Sequence, residues 1–214
     1  MKCIVTAGPT FEPLDDVRRL TNFSTGKLGT ELANFLTARG HDVTLLIGES
    51  ATWPGERQAQ SVKSFSSTQD LRAKLKSFAG KKVGAIFHAS AVSDFTFGQM
   101  FTHDAAGKLT PFKPSKKIST RGGRLLVELV PTPKIIAELR GWFPRTKIIG
   151  WKFEADGARA DALRSAKKQL AACATDACVA NGPAYGNGYS LVTPRSQKHF
   201  ADTTKLFTAL EEMI

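Results

Sequence analysis

Short apolar runs of strand length alternate with amphipathic stretches of helical period over most of this chain. Residues 2–6 read as a buried strand, stopped by Ala7, Gly8 and Pro9. Residues 25–39 carry Leu28, Leu32, Phe35 and Leu36 on one helical face, and Gly40 ends that pattern. Further helices are expected over 67–78, 158–172, 202–213 (capped by Asp202) and from about 132 to 142, with Pro133 at the first helical position. Strands are expected over 42–47, 83–91, 124–129, 147–151 and 177–180, with a hairpin across 186–192 and Lys198. Between Phe95 and Arg121 the apolar period disappears. Gly98, Gly107, Pro111, Pro114 and several lysines dominate there, so the segment reads as a flexible flap outside the core.

Strands separated by helices argue for an α/β fold: a three-layer, doubly wound, mostly parallel sheet of Rossmann-like type, with a long flap. No linker or repeat divides the chain, so residues 1–214 are expected to form one nucleotide-binding domain. Ligands of such sheets bind beyond the carboxyl ends of the strands. The segments 9–27, 90–94, 151–154 and 181–182 all follow strands and therefore converge on one edge. The first of them is unusually long, and a long connection in a compact domain is commonly a working part.

Composition narrows the partners. The formal charge is +11, from 30 Lys+Arg against 19 Asp+Glu, which favours an anionic partner. The basic residues recur singly and in pairs (Arg18-Arg19, Lys81-Lys82, Lys116-Lys117, Lys167-Lys168) rather than in one block. No aromatic-basic motif accompanies them, so no nucleic-acid partner is expected. Cys3, Cys173 and Cys178 have neither zinc spacing nor a disulfide framework, and Cys3 reads as a small buried hydrophobe. No leader is recognised, and no apolar run approaches the roughly 20 residues needed to cross a bilayer. A cytoplasmic protein without membrane association is expected.

Ser24, Thr25, Gly26 and Lys27 open a helix with backbone N–H groups, hydroxyls and an ammonium, chemistry suited to phosphate. The glycine spacing upstream is not that of a Walker A loop. Ser24 or Thr25 could also simply cap the helix, and the two roles are compatible. Arg18 and Asn22 lie in the same loop and suit a carboxylate or phosphate, but chemistry alone favours scaffolding, with Arg18 paired to Glu12 or Asp15. Asp94, just past a strand, suits a magnesium ion carried on phosphates and is equally suited to closing a turn. Lys116 and Lys117 in the flap could neutralise charge developing on a bound anion. His88, inside an apolar strand, reads as a core histidine rather than a catalyst.

Taken together, the segments TAGPTFEPLDDVR (6–18) and TNFSTGKLG (21–29) resemble phosphopantothenoylcysteine synthetase, the phosphopantothenate–cysteine ligase family. AVSDF (91–95), KI (117–118), PTPKI (131–135), IGWKFE (149–154) and VAN (179–181) resemble that family's later motifs, in the same order. The resemblance implies a ligase of coenzyme A biosynthesis. Such an enzyme activates the phosphopantothenate carboxylate with CTP or ATP and Mg2+, releases pyrophosphate, and forms an amide with cysteine. It implies that Asn22 holds the acyl-nucleotide intermediate or the pantothenate moiety and that Arg18 supports the loop. Gly8, Ser24, Gly26, Lys27, Ser90 and Ala91 would line the nucleotide site, with Asp94 at the metal–triphosphate and Lys117 as the flap contact. Trp151 and Asn181 would sit near the base and ribose. It also implies a homodimer and, because the chain opens at the synthetase strand, no decarboxylase domain and no FMN.

Six residues depart from the family's pattern: Pro9 and Gly182 replace a glycine and an aspartate, Lys152-Phe153 replaces small residues, and Ser119-Thr120 replaces flap lysines. A non-catalytic nucleotide-binding homologue is the alternative those departures raise. A dinucleotide-dependent oxidoreductase is weaker, because Gly8 stands alone where a G-x-G-x-x-G turn is required.

Overall fold

A computed structural model describes residues 1–104, 106–113, 117–119 and 123–214. The expected flap positions Pro114, Lys116, Thr120 and Arg121 lie outside the described residues. The chain runs through β1 (Lys2–Ala7), β2 (Phe11–Pro13), β3 (Arg19–Thr21), α1 (Lys27–Ala38), β4 (Asp42–Gly48) and β5 (Ser61–Phe65). It continues with α2 (Thr68–Lys76), β6 (Ala85–His88), β7 (Phe95–His103), β8 (Leu109–Phe112), β9 (Arg124–Pro131) and α3 (Ile135–Trp142). Last come β10 (Lys147–Phe153), α4 (Arg159–Cys173), β11 (Ala177–Asn181), β12 (Tyr189–Val192), β13 (Gln197–Phe200) and α5 (Thr203–Glu211).

The main sheet has the order β13-β12-β11-β10-β6-β1-β4-β5. From β5 to β11 every pairing is parallel, and β12 and β13 add an antiparallel hairpin at one edge. Parallel strands must be covered on both faces, and the side chains of β1 alternate accordingly. Cys3, Val5 and Ala7 face Leu32 and Leu36 of α1 and Leu206 and Leu210 of α5. Ile4 faces Leu71 and Leu75 of α2 and Ile135 and Leu139 of α3. The strand order reverses between β1 and β6, so the loops leaving these two neighbours diverge to opposite faces and open a crevice. The fold is the mostly parallel, Rossmann-like α/β architecture expected.

Three expectations are corrected. Residues 95–103 form a nine-residue strand, which with β8 and β9 makes a three-stranded antiparallel ribbon of order β8-β7-β9. Gly98, read as a breaker, lies at the β-bulge between Phe97 and Met100, and Pro111 is tolerated because β8 is an edge strand. Only Met100 of β7 is buried, so the ribbon lacks the apolar period that announces a strand. Secondly, α3 starts at Ile135, not at Pro133. β9 ends at Pro131, and just beyond it the Thr132 N–H donates to the Asp94 carbonyl at 3.0 Å, which delays the helix. Thirdly, no side chain caps α1. Gly26 occupies its N-cap with φ 80°, a left-handed conformation that a glycine adopts without steric cost.

Helix α1 lies close on β1 because Gly29 faces the strand. A Cβ there would stand 2.7 Å from the Ala7 Cβ and 2.9 Å from the Thr6 carbonyl oxygen. Gly29→Ala should therefore lower the melting temperature by about 2–10 °C, the equivalent of 1–3 kcal/mol of overpacking in a chain of this size. A variant melting at or above the parent, as helix propensity alone would give, would contradict this packing.

Candidate active-site cleft

At the carboxyl ends of β1 and β6 the chain splices its two loops together. The Ala91 N–H donates to the Gly8 carbonyl at 3.0 Å, and the Thr10 N–H donates to the Ala91 carbonyl at 3.1 Å. Pro9 sits between these bonds, so its missing N–H removes no donor from the splice. Beneath it, the Thr6 hydroxyl accepts the Ser90 N–H at 3.1 Å and lies 3.0 Å from His88 Nδ1. Beside it, the Thr10 hydroxyl meets Thr68 at 3.2 Å and Ser93 at 3.1 Å, all buried. The buried Glu12 carboxylate accepts the Thr68 N–H at 2.9 Å at the start of α2, where a helix favours negative charge. Glu12 is thus a loop anchor and does not pair with Arg18.

Above the splice lies a cleft of about 1080 Å³. Gly8, Asn22, Ser24, Gly26 and Lys27 line it from the first loop and the start of α1. Ser90, Ala91 and Asp94 line it from the loop after β6, Trp151 from β10 and Asn181 from β11. Asn22 Nδ2 donates to the Ala91 carbonyl at 3.3 Å, which ties the two principal loops across the opening. The Ser90 hydroxyl and Trp151 Nε1 are buried and have no hydrogen-bond partner among the described residues. Leaving such groups unpaired costs on the order of 1–3 kcal/mol each, so both are poised to bond something that enters the cleft. The opening turn of α1 adds N–H groups that lack intrahelical partners. Lys27 is half-exposed and lies 3.8 Å from Glu31, one turn along.

Two candidate residues do not line this cleft. Arg18 is bound to Asp15 through Nε at 3.0 Å and Nη2 at 2.6 Å, and its Nη2 also donates to the Ile118 carbonyl at 2.7 Å. Lys117 is exposed beside Ile118, with no hydrogen-bond or ion-pair partner among the described residues. The Arg18 guanidinium, with the Ile118 N–H, holds the Asp15 carboxyl well below the usual carboxylate range.

Residues that sequence reasoning missed also shape the cleft. Gln169 of α4 reaches it because Gly150 has no side chain: a Cβ there would lie 2.4 Å from Gln169 Nε2. Lys134 lines the same side. Gln169 carried no motif signal, since its place depends on a long-range approach, whereas Lys134 lies within the PTPKI segment without having been singled out in it. Lys152 forms an ion pair with Glu154 at 3.3 Å, and Phe153 stands at the cleft with its side chain largely exposed. Gly182 has φ 113°, and a Cβ there would lie 2.4 Å from the Glu154 carbonyl oxygen, so this backbone has no room for an aspartate.

The chemistry on offer is polar and cationic rather than nucleophilic. Cys3, Cys173 and Cys178 are free and buried, and burial pushes the Cys178 thiol up to about 12. No cluster of three or more potential metal ligands occurs among the described residues. Asp94, exposed at the rim, offers one carboxylate, which fits a magnesium ion brought in on phosphate oxygens and not a protein-built cage. No helix among the described residues is long and apolar enough to cross a membrane.

The family model for the DNA/pantothenate metabolism flavoprotein C-terminal domain matches residues 1–212. The chain belongs to this family. It is the phosphopantothenoylcysteine synthetase family that its motifs resemble. Two coenzyme A biosynthesis bifunctional proteins CoaBC are similar. That of Thermococcus kodakarensis is 32% identical over 84% of this chain and 41% of its own length. That of Mycolicibacterium smegmatis is 34% identical over 85% of this chain and 42% of its own length. The chain thus spans under half the length of these relatives. Among solved structures, a DNA/pantothenate metabolism flavoprotein from Streptococcus pneumoniae superposes with a TM-score of 0.84 at 26% identity, covering 100% of this chain and 97% of the other. A Cab2 mutant in complex with phosphopantothenate-cysteine shares the fold, with a TM-score of 0.74 at 19% identity over 99% and 86% of the two chains.

His88 supplies a pH test of the cleft floor. It is buried with Thr6 as its partner, and desolvation lowers its pKa from 6.5 to about 4. The native state therefore resists a proton that the unfolded chain accepts. Stability is full above pH 6.5 and falls as pH drops toward 4. His88→Gln should flatten this slope: between pH 7 and 4.5 the parent should lose roughly 2–3 kcal/mol more than the variant in urea unfolding. Parallel losses in the two proteins would mean that His88 is not held neutral.

Proposed function

We propose that this chain is a phosphopantothenate–cysteine ligase: it activates the phosphopantothenate carboxylate as an acyl-nucleotide and joins it to cysteine. The observation that carries this reading is the Asn22–Ala91 bridge. It joins the family's two principal motif loops over a cleft whose Ser90 hydroxyl and Trp151 indole N–H have no partner among the described residues. The relatives named for coenzyme A biosynthesis support the substrate class.

A carboxylate is a poor electrophile, so it must first gain a leaving group. Its oxygen attacks the α-phosphorus of CTP or ATP, the bond to pyrophosphate breaks, and a mixed anhydride forms. The cysteine amine then attacks the acyl carbon, the nucleoside monophosphate leaves, and the amine gives up its proton. In this reading Gly8, Ser24, Gly26 and Lys27 receive phosphate through N–H groups, a hydroxyl and an ammonium. Ser90 and Ala91 border the nucleotide, and Trp151 and Asn181 lie near base and ribose. Asn22 holds the acyl-nucleotide with the carbonyl side of its amide free to accept and the other side bonded to Ala91. Asp94 would hold Mg2+ against the phosphates, where the ion supplies charge neutralisation when bound. Lys117 approaches the transferring group as negative charge develops, and Arg18 supports the loop.

The family resemblance supports a homodimer, and the exposed Val17, Leu20, Phe23 and Phe95 on the first loop and ribbon would offer it apolar surface to cover. A cytoplasmic setting fits a reaction that consumes nucleoside triphosphate.

Purified protein with phosphopantothenate, cysteine, Mg2+ and CTP or ATP should release pyrophosphate and form the amide. No turnover with either nucleotide would sink the proposal. Asn22→Ala should lower the rate of amide formation by roughly a hundredfold while changing nucleotide affinity by less than about threefold. Affinity falling in step with turnover would contradict the assigned role.

A further inference from the structure

Asp15 is absent from the reaction just described, yet it is among the most heavily bonded side chains of the first loop. Its side chain is sealed from solvent, and its two oxygens have separate tasks. Oδ1 accepts the N–H groups of Val17 at 3.0 Å and Arg18 at 2.8 Å, which closes the local turn. Oδ2 accepts Arg18 Nε and Nη2 and, at 3.0 Å, the N–H of Ile118, 103 positions along the chain. Arg18 Nη2 in turn donates to the Ile118 carbonyl at 2.7 Å. The pair therefore holds both main-chain polar groups of one distant residue, as a neighbouring strand would. Ile118 is only 7% exposed, whereas Lys117 and Ser119 on either side are exposed.

From this geometry we infer that Asp15 is a positioning residue: with Arg18 it latches the strap that carries Lys117 onto the first loop, acting through the main chain of Ile118. The inference rests on the role proposed above for Lys117. A lysine ends in a flexible four-carbon stem, so its ammonium is aimed only as well as its backbone is anchored. The latch fixes that backbone to the same loop that carries Asn22. It is made of charge-assisted bonds, the shorter and stronger class of hydrogen bond, and all of them converge on one residue of the strap.

The division of labour between the two oxygens makes the inference testable by one atom. In Asp15→Asn the amide oxygen can keep the Oδ1 position and close the turn. The NH2 group then replaces Oδ2 and faces two donors, Ile118 N–H and the guanidinium. The turn survives and the latch is lost. Turnover of Asp15→Asn should fall roughly ten- to a hundredfold, with nucleotide KM within about twofold of the parent, because a misplaced group costs rate rather than binding. In the Lys117→Ala background the same change should cost less than about twofold, since a residue acting only through Lys117 has nothing left to position. Hydrogen exchange at the Ile118 amide should quicken by about tenfold in Asp15→Asn, with the exchange of β1 and β6 unchanged.

If Lys117→Ala is slow and Asp15→Asn slows it further by its full factor, the inference is overturned and the role of Lys117 stands. Full turnover in Lys117→Ala overturns both. Unchanged exchange at Ile118 in Asp15→Asn overturns the latch whatever the kinetics show.

Discussion

Two backbone hydrogen bonds decide where everything else in this molecule can be. Ala91 donates to Gly8 and accepts from Thr10, and the strands behind these residues are already paired through Thr6 and His88. Without that splice the loops after β1 and β6 would leave the sheet independently, because the strand order reverses between them. With it, the crevice has a rigid floor and two walls whose spacing is set by main chain, not by flexible side chains. Buried hydroxyls then lock the floor from below and beside: Thr6 under Ser90, and Thr10 against Thr68 and Ser93. Buried polar networks hold best when their members are satisfied, and two of the buried groups with no partner among the described residues, Ser90 Oγ and Trp151 Nε1, line the cleft.

The chain's large positive charge contributes less to the site than its size suggests. Several basic side chains are engaged in holding elements together instead. Arg72 makes a bidentate pair with Glu138 between α2 and α3, and Arg140 bonds Asp176, which also accepts the Ile148 N–H at the start of β10. These partners keep Glu138 and Asp176 ionised by lowering their pKa values. What remains for an anion at the cleft is Lys27, Lys134 and Lys152, and two of these already approach a carboxylate. The cleft therefore favours a polyanion through N–H groups and hydroxyls as much as through net charge. That suits phosphates delivered with their own cation.

The legible parts of the fold were those where local pattern and tertiary role agree. β1, α1 and β4 carry apolar runs or a clean helical face because one side of each is wholly buried. The convergence of Asn22, Ser24, Gly26, Lys27, Ser90, Ala91, Asp94, Trp151 and Asn181 followed from their positions after strands, and the cleft brings all of them together. The ribbon β7–β9 was not legible, because it buries little and is held by cross-strand bonds that leave no period in the residues. β5, an edge strand whose central residues are exposed, gave no signal for the same reason. Arg18 was readable as a partner of Asp15, but not its reach to Ile118, since a main-chain contact across 100 positions is invisible to any local pattern. Gln169 enters only because Gly150, on a different element, leaves it space.

In the function proposed above, one cleft, at the reversal between β1 and β6, receives the nucleoside triphosphate. A crystal structure of the protein with CTP or ATP, Mg2+ and phosphopantothenate tests it most directly. The phosphates should lie against Gly26 and Lys27 at the start of α1, the metal beside Asp94, and Ser90 Oγ and Trp151 Nε1 should gain new partners. Nucleotide bound instead in the loop of residues 182–188 beside β12, with the Ser90 hydroxyl and Trp151 indole still unpaired, would contradict it.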